Sequence, residues 1–125
     1  MKTIMTVDDS ASLREIASLV LRAGGYEVIE AVDGLDALSK LSKATTQEPN
    51  LILTDVNMPG MDGLELTRQI RAMPQYKFVP IVVLTGSESC SERKQEAKSA
   101  GATAWMAKPF TPTELLAVMK KVMRR

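Results

Sequence analysis

Five short apolar runs alternate with segments of helical period along the chain, and no other feature restricts its fold as much. The runs are Lys2–Val7, Glu27–Ala31, Leu51–Thr54, Pro80–Leu84 and Ala102–Ala107. Between them, apolar residues recur at helical spacing: Leu13, Ile16, Ala17 and Val20, then Leu38 and Leu41, and last Leu115, Met119 and Val122. Ser10 is placed to cap the first helix and Gly24-Gly25 to end it. Further helices are expected over roughly Leu35–Lys43, Gly63–Ala72 and Ser89–Ala100, the last ended by Gly101. Thr111-Pro112-Thr113-Glu114 reads as the start of a fifth, with Thr111 as cap, Pro112 at the first helical position and Glu114 completing a capping box. Leu51–Thr54 is apolar enough for a central strand buried on both faces. A strand–helix unit repeated five times, (βα)5, predicts an α/β fold with a doubly wound five-stranded parallel sheet. The chain is the size of one domain, expected to span residues 1–125.

The polar residues that end these runs define the candidate site. Asp8 and Asp9 follow the first run, Asp55 the third, Thr85 the fourth and Lys108 the fifth. In an open parallel sheet, ligands bind at the carboxyl ends of the strands. Residues far apart in sequence are therefore expected to meet in one pocket, with formal charge −3 from the acids and +1 from lysine. Close like charges raise each other's pKa. A divalent metal would remove the imbalance, and hard cations prefer the oxygen ligands that this pocket offers.

What the chain lacks narrows the chemistry further. It has no histidine and a single cysteine, Cys90, so His/Cys zinc sites and histidine-assisted nucleophiles are excluded and no intrachain disulfide can form. A P-loop and a G-x-G-x-x-G turn are absent. Sixteen basic and fifteen acidic side chains nearly cancel, which argues against direct nucleic-acid binding through a global basic field. Apolar runs of about five to seven residues are too short for membrane insertion. The first residues lack the apolar core of a signal peptide, and the expected location is cytoplasmic.

Two metal-dependent readings can be tested against Asp55-Val56-Asn57-Met58-Pro59-Gly60. A calcium loop beginning at Asp55 would match at Asn57 and Gly60 but fail at Pro59 and Leu66. A magnesium-dependent phosphohydrolase that forms an aspartyl intermediate usually carries a general acid two residues after the nucleophile, where this chain has Asn57. The pocket is suited to accepting a phosphoryl group and poorly equipped for turnover, so the chain is not expected to be an enzyme. The eight methionines are expected to fill gaps in the core, and Lys94, Lys98, Lys120, Lys121, Arg124 and Arg125 to form a solvated face.

Taken together, Val7-Asp8-Asp9-Ser10, Asp55 through Gly63, Leu84-Thr85-Gly86 and Lys108-Pro109-Phe110 resemble the receiver domain of two-component response regulators. The resemblance covers essentially the whole chain and implies the flavodoxin-like strand order 2-1-3-4-5. The length and the opening Asp8-Asp9-Ser10-Ala11-Ser12-Leu13-Arg14 are most similar to the stand-alone chemotaxis receivers. The resemblance implies phosphorylation of Asp55 by a sensor histidine kinase (CheA-like), with self-catalysed chemistry at most. It implies Mg2+ held by Asp8, Asp9, Asp55 and the Asn57 carbonyl, and Lys108 paired with the phosphoryl oxygens. Thr85 and Trp105 would form the switch, read out at the helix 4–strand 5–helix 5 face by a target such as a flagellar switch protein. A phosphatase is a further implied partner. Asn57 and Ser87 occupy positions where the family tunes autodephosphorylation. Trp105 is larger than the usual tyrosine or phenylalanine, and Gly86 stands where alanine is more usual. The resemblance leaves open a phosphate sink, or a receiver within a longer DNA-binding regulator.

Overall fold

The structure, a computed structural model, describes residues 2–43, 48–86 and 90–123, with only the backbone described for 90–94. The expectations for Ser87, Ser89, Arg124 and Arg125, and for the side chains of Cys90 and Lys94, lie outside these residues. In chain order come β1 (Thr3–Val7), α1 (Ala11–Ala23), β2 (Glu27–Ala31), α2 (Gly34–Ser42) and β3 (Leu51–Asp55). They are followed by α3 (Gly63–Arg71), a 3-10 turn (Pro74–Tyr76), β4 (Ile81–Gly86), α4 (Cys90–Ala100), β5 (Ala104–Lys108) and α5 (Pro112–Met123).

The strands form one parallel sheet in the order β2-β1-β3-β4-β5, as the resemblance implied. One apolar layer joins the sheet to Leu41 of α2, to Leu64, Leu66 and Ile70 of α3 and to Ala97 and Ala100 of α4. The other joins it to Leu21 of α1 and to Leu115, Met119 and Val122 of α5. Helices therefore cover both faces, the doubly wound arrangement. Four of the methionines, Met5, Met58, Met106 and Met119, are buried in these layers.

The helix ends follow local chemistry. The Thr111 N–H donates to Glu114 Oε1 at 2.9 Å and the Glu114 N–H to Thr111 Oγ1 at 3.1 Å, which is the expected capping box. At the end of α1, Gly25 adopts φ 94°, with its N–H on the Arg22 carbonyl and the Tyr26 N–H on the Leu21 carbonyl. That pair of bonds is the Schellman arrangement.

Two expectations are corrected. Leu13 and Ile16 do not enter the core: they are 47% and 56% exposed, whereas Ala17, Ser18 and Leu21 are buried. The inward face of α1 is rotated from the one that the larger side chains suggest. The fifth strand starts at Ala104 rather than Ala102, because the Ala102 N–H donates to the Ala97 carbonyl and so closes α4.

Candidate functional site

The strand registers bring the expected residues to one end of the sheet. Val7 lies beside Thr54, Asp55 beside Leu84, Thr85 beside Ala107 and Gly86 beside Lys108. Asp55, Thr85 and Lys108 are each the last or next-to-last residue of their strand, within it rather than beyond it.

Asp8, Asp9 and Asp55 each offer a carboxylate oxygen within 4.8 Å of the others. Asp8 and Asp55 are buried and Asp9 is exposed. Burial is the main influence on Asp8 and pushes its carboxyl above the usual carboxylate range. The charges of Asp55 and Asp9 push the same way, against the Ser10 N–H bond at 2.9 Å and the charge of Lys108. Three hard oxygen donors, one held in a costly ionised state, suit a divalent cation, and Asp8, Asp9 and Asp55 are the side chains that would hold it. Asn57 is exposed, two residues past Asp55.

Lys108 Nζ lies 3.1 Å from Asp55 Oδ2, the ammonium reaching over the end of β4. The Lys108–Pro109 peptide is cis. The Thr85 side chain is buried, and its hydroxyl donates to the Met106 carbonyl at 3.5 Å. That length is at the weak limit for a hydroxyl donor, so the bond is readily exchanged. Met106 follows Trp105, which is 38% exposed and lines a 290 Å³ cavity with Thr103, Ala104, Val118, Lys121 and Val122. A second cavity, about 490 Å³, runs from Asp8 and Lys108 along Leu13, Ile16, Ala17, Pro109 and Phe110.

Sequence reasoning missed two residues that set the loop after β3. Asp62 Oδ1 accepts the N–H groups of Leu64 and Glu65 and so caps α3. The signal was present, an aspartate followed three residues later by Glu65. Gly63 packs directly on the phosphoacceptor candidate: a Cβ there would lie 2.2 Å from the Asp55 carbonyl oxygen. Its N–H donates to the Val56 carbonyl at 2.9 Å, so the close approach is hydrogen-bonded.

Comparison with known proteins agrees with this geometry. Residues 4–120 match the response regulator receiver domain, and the chain belongs to that family. It is 45% identical to the chemotaxis protein CheY4 of Vibrio cholerae, covering 98% of each chain with a TM-score of 0.89. The receiver domain of sensor histidine kinase PA1611 from Pseudomonas aeruginosa has a magnesium ion coordinated in its active-site cleft. It is 29% identical, with 99% of this chain and 98% of that one covered and a TM-score of 0.88. Among curated relatives, the phosphate regulon transcriptional regulatory protein PhoB of P. aeruginosa is 36% identical over 99% of this chain and 52% of its own length. The chain spans about half the length of several curated relatives that it matches. Receiver domains accept phosphate from histidine kinases and bind Mg2+ at an acidic pocket. Among the described residues, no helix is long and apolar enough to cross a membrane.

Proposed function

We propose that the chain is a single-domain, cytoplasmic response regulator that accepts a phosphoryl group on Asp55 and thereby switches partner binding, in chemotaxis signalling to a flagellar-switch-type target. The observation that carries this reading is the Lys108–Asp55 contact beside the three-carboxylate cluster. Bound magnesium supplies positive charge that offsets the carboxylates and the incoming phosphoryl oxygens. Asp8, Asp9 and Asp55 would hold it through their side chains, and Asn57 through its carbonyl. Asp55 provides the carboxylate oxygen that takes the phosphoryl group from the histidine of a CheA-like kinase. Leu13, Ile16 and Phe110, which line the cavity beside Asp8 and Lys108, favour a protein phosphodonor over a bare small molecule.

Phosphorylation adds charge and strong acceptor oxygens. Lys108 moves its contact from Asp55 to a phosphoryl oxygen. Thr85 exchanges its long bond to the Met106 carbonyl for a bond to the phosphoryl group, and so alters β5 next to Trp105. Contacts available only in the phosphorylated form bias a two-state element, and α4, β5 and α5 carry the readout. The 45% identity to CheY4 supports the chemotaxis reading.

A second reading is favoured by the half-length coverage of transcriptional regulators such as PhoB: a receiver that controls a DNA-binding portion. The reading frame of the gene separates the two. The deciding experiment on the site is intact-mass measurement after acetyl phosphate and Mg2+. A single phosphoryl adduct that is absent in Asp55→Asn supports the assignment, and full labelling of Asp55→Asn rejects it.

A further inference from the structure

Asp8 and Asp9 are joined by one peptide plane, and the orientation of that plane decides where both carboxylates point. Two bonds hold the Asp8 backbone, one from β2 and one from α1. Its N–H donates to the Ala31 carbonyl at 3.2 Å, and its carbonyl accepts from Arg14 Nη1 at 2.6 Å. Arg14 Nε donates to Glu30 Oε1 at 3.1 Å, so one guanidinium spans the β1–α1 turn and β2. The Arg14 side chain is only 14% exposed, a degree of burial that arginine reaches when paired. Glu30 is itself anchored: Arg22 Nη2 lies 3.8 Å from its Oε2, and its main-chain carbonyl accepts from the Lys40 ammonium. Arg14 stands in the first turns of α1, where its own N–H donates to the Ser10 carbonyl at 2.9 Å. The side chain therefore closes Asp8-Asp9-Ser10 back onto the helix that follows.

We propose that Arg14 is a positioning residue for the divalent-cation site: held by Glu30, it fixes the peptide plane between Asp8 and Asp9 and so sets the affinity for magnesium. The phosphoryl chemistry does not use Arg14. Lys108 is the cation next to Asp55, whereas the charge of Arg14 is taken up by Glu30. Groups that orient metal ligands without touching the metal commonly control affinity by about 10–100-fold. The planar fork meets the Asp8 carbonyl and Glu30 through separate nitrogens, Nη1 and Nε, a geometry that a single ammonium nitrogen does not reproduce.

The inference rests on the magnesium reading of the site, and calorimetric titration with Mg2+ separates the two. Arg14→Met keeps the packed stem and removes every donor. It is expected to melt cooperatively without metal and to bind Mg2+ at least about tenfold more weakly than the parent. Acetyl phosphate labelling of Asp55 should slow at low Mg2+ and recover at saturating Mg2+, a pattern that general loss of structure would not produce. Arg14→Lys should fall between the two. If Arg14→Met does not fold, Glu30→Ala carries the test, with a smaller loss of affinity expected. Parental Mg2+ affinity in a folded variant overturns the role of Arg14. Absence of Mg2+ binding by the parent overturns the metal reading, and this inference with it.

Discussion

Lys108 Nζ sits 3.1 Å from Asp55 Oδ2 although β4 lies between their strands. The side chain bridges a full strand width, so the contact depends on β3, β4 and β5 ending in register. In the form described, the ammonium occupies the carboxylate that phosphoryl chemistry would use.

Lys108→Ala leaves the buried Asp55 carboxylate without that partner. Stranding a buried group costs about 1–3 kcal/mol, so the metal-free protein should melt at a lower temperature. Mg2+ binding should persist. The fluorescence change of Trp105 on adding beryllofluoride, a phosphoryl mimic, should disappear. A parental fluorescence response would show that Lys108 does not couple the site to β5.

Gly63→Ala places a methyl group 2.2 Å from the Asp55 carbonyl oxygen unless the backbone moves. Overpacking of this kind costs about 1–3 kcal/mol, here concentrated at the candidate phosphoacceptor. Both thermal stability and labelling of Asp55 by acetyl phosphate should fall. A variant that labels at the parental rate would mean that the loop after β3 shifts without carrying Asp55 along.

Asp8→Asn should stabilise the metal-free protein at neutral pH. Burial raises the Asp8 pKa above its ordinary 3.8, so the folded chain holds the proton more tightly than the unfolded chain. Stability from this group therefore falls as pH rises from 3.8 through the raised value, and stays low above it. Melting curves across that range should show Asp8→Asn gaining on the parent as pH increases. A variant less stable than the parent at every pH would contradict the sign. Mg2+ should stabilise the parent and do so much less in the variant.

Asp62→Ala removes two hydrogen bonds at the start of α3 and should cost about 0.5–2 kcal/mol in chemical denaturation. Asp62→Asn can make the same bonds and should stay close to the parent. Equal losses in both variants would point to the charge of Asp62 rather than to capping.

The parallel sheet and the meeting of Asp8, Asp9, Asp55 and Lys108 were legible because strand ends in a parallel sheet are marked by polar residues after apolar runs, whereas the strand order came from the resemblance. The start of α5 was legible for a local reason, since both halves of its capping box lie within Thr111–Glu114. The inward face of α1 was not. Helical spacing alone admits several faces, and small Ala17 and Ser18 against the sheet send Leu13 and Ile16 outward. Arg14 and Gly63 escaped notice because their importance lies in backbone groups that they meet, the Asp8 and Asp55 carbonyls. Arg71 escaped for the same reason: its guanidinium binds the carbonyls of Tyr76, Val79 and Gly101 and ties the entry of β4 to the end of α4.

The order of the pocket's residues along the chain has a consequence for biosynthesis. Asp8, Asp9 and Asp55 leave the ribosome first, and Lys108 arrives only with the last strand of the sheet. A nascent chain thus carries the acidic half of the pocket without its lysine, and without the β5 carbonyl that Thr85 holds. The pocket's acids and its lysine therefore share one site only once synthesis has passed β5.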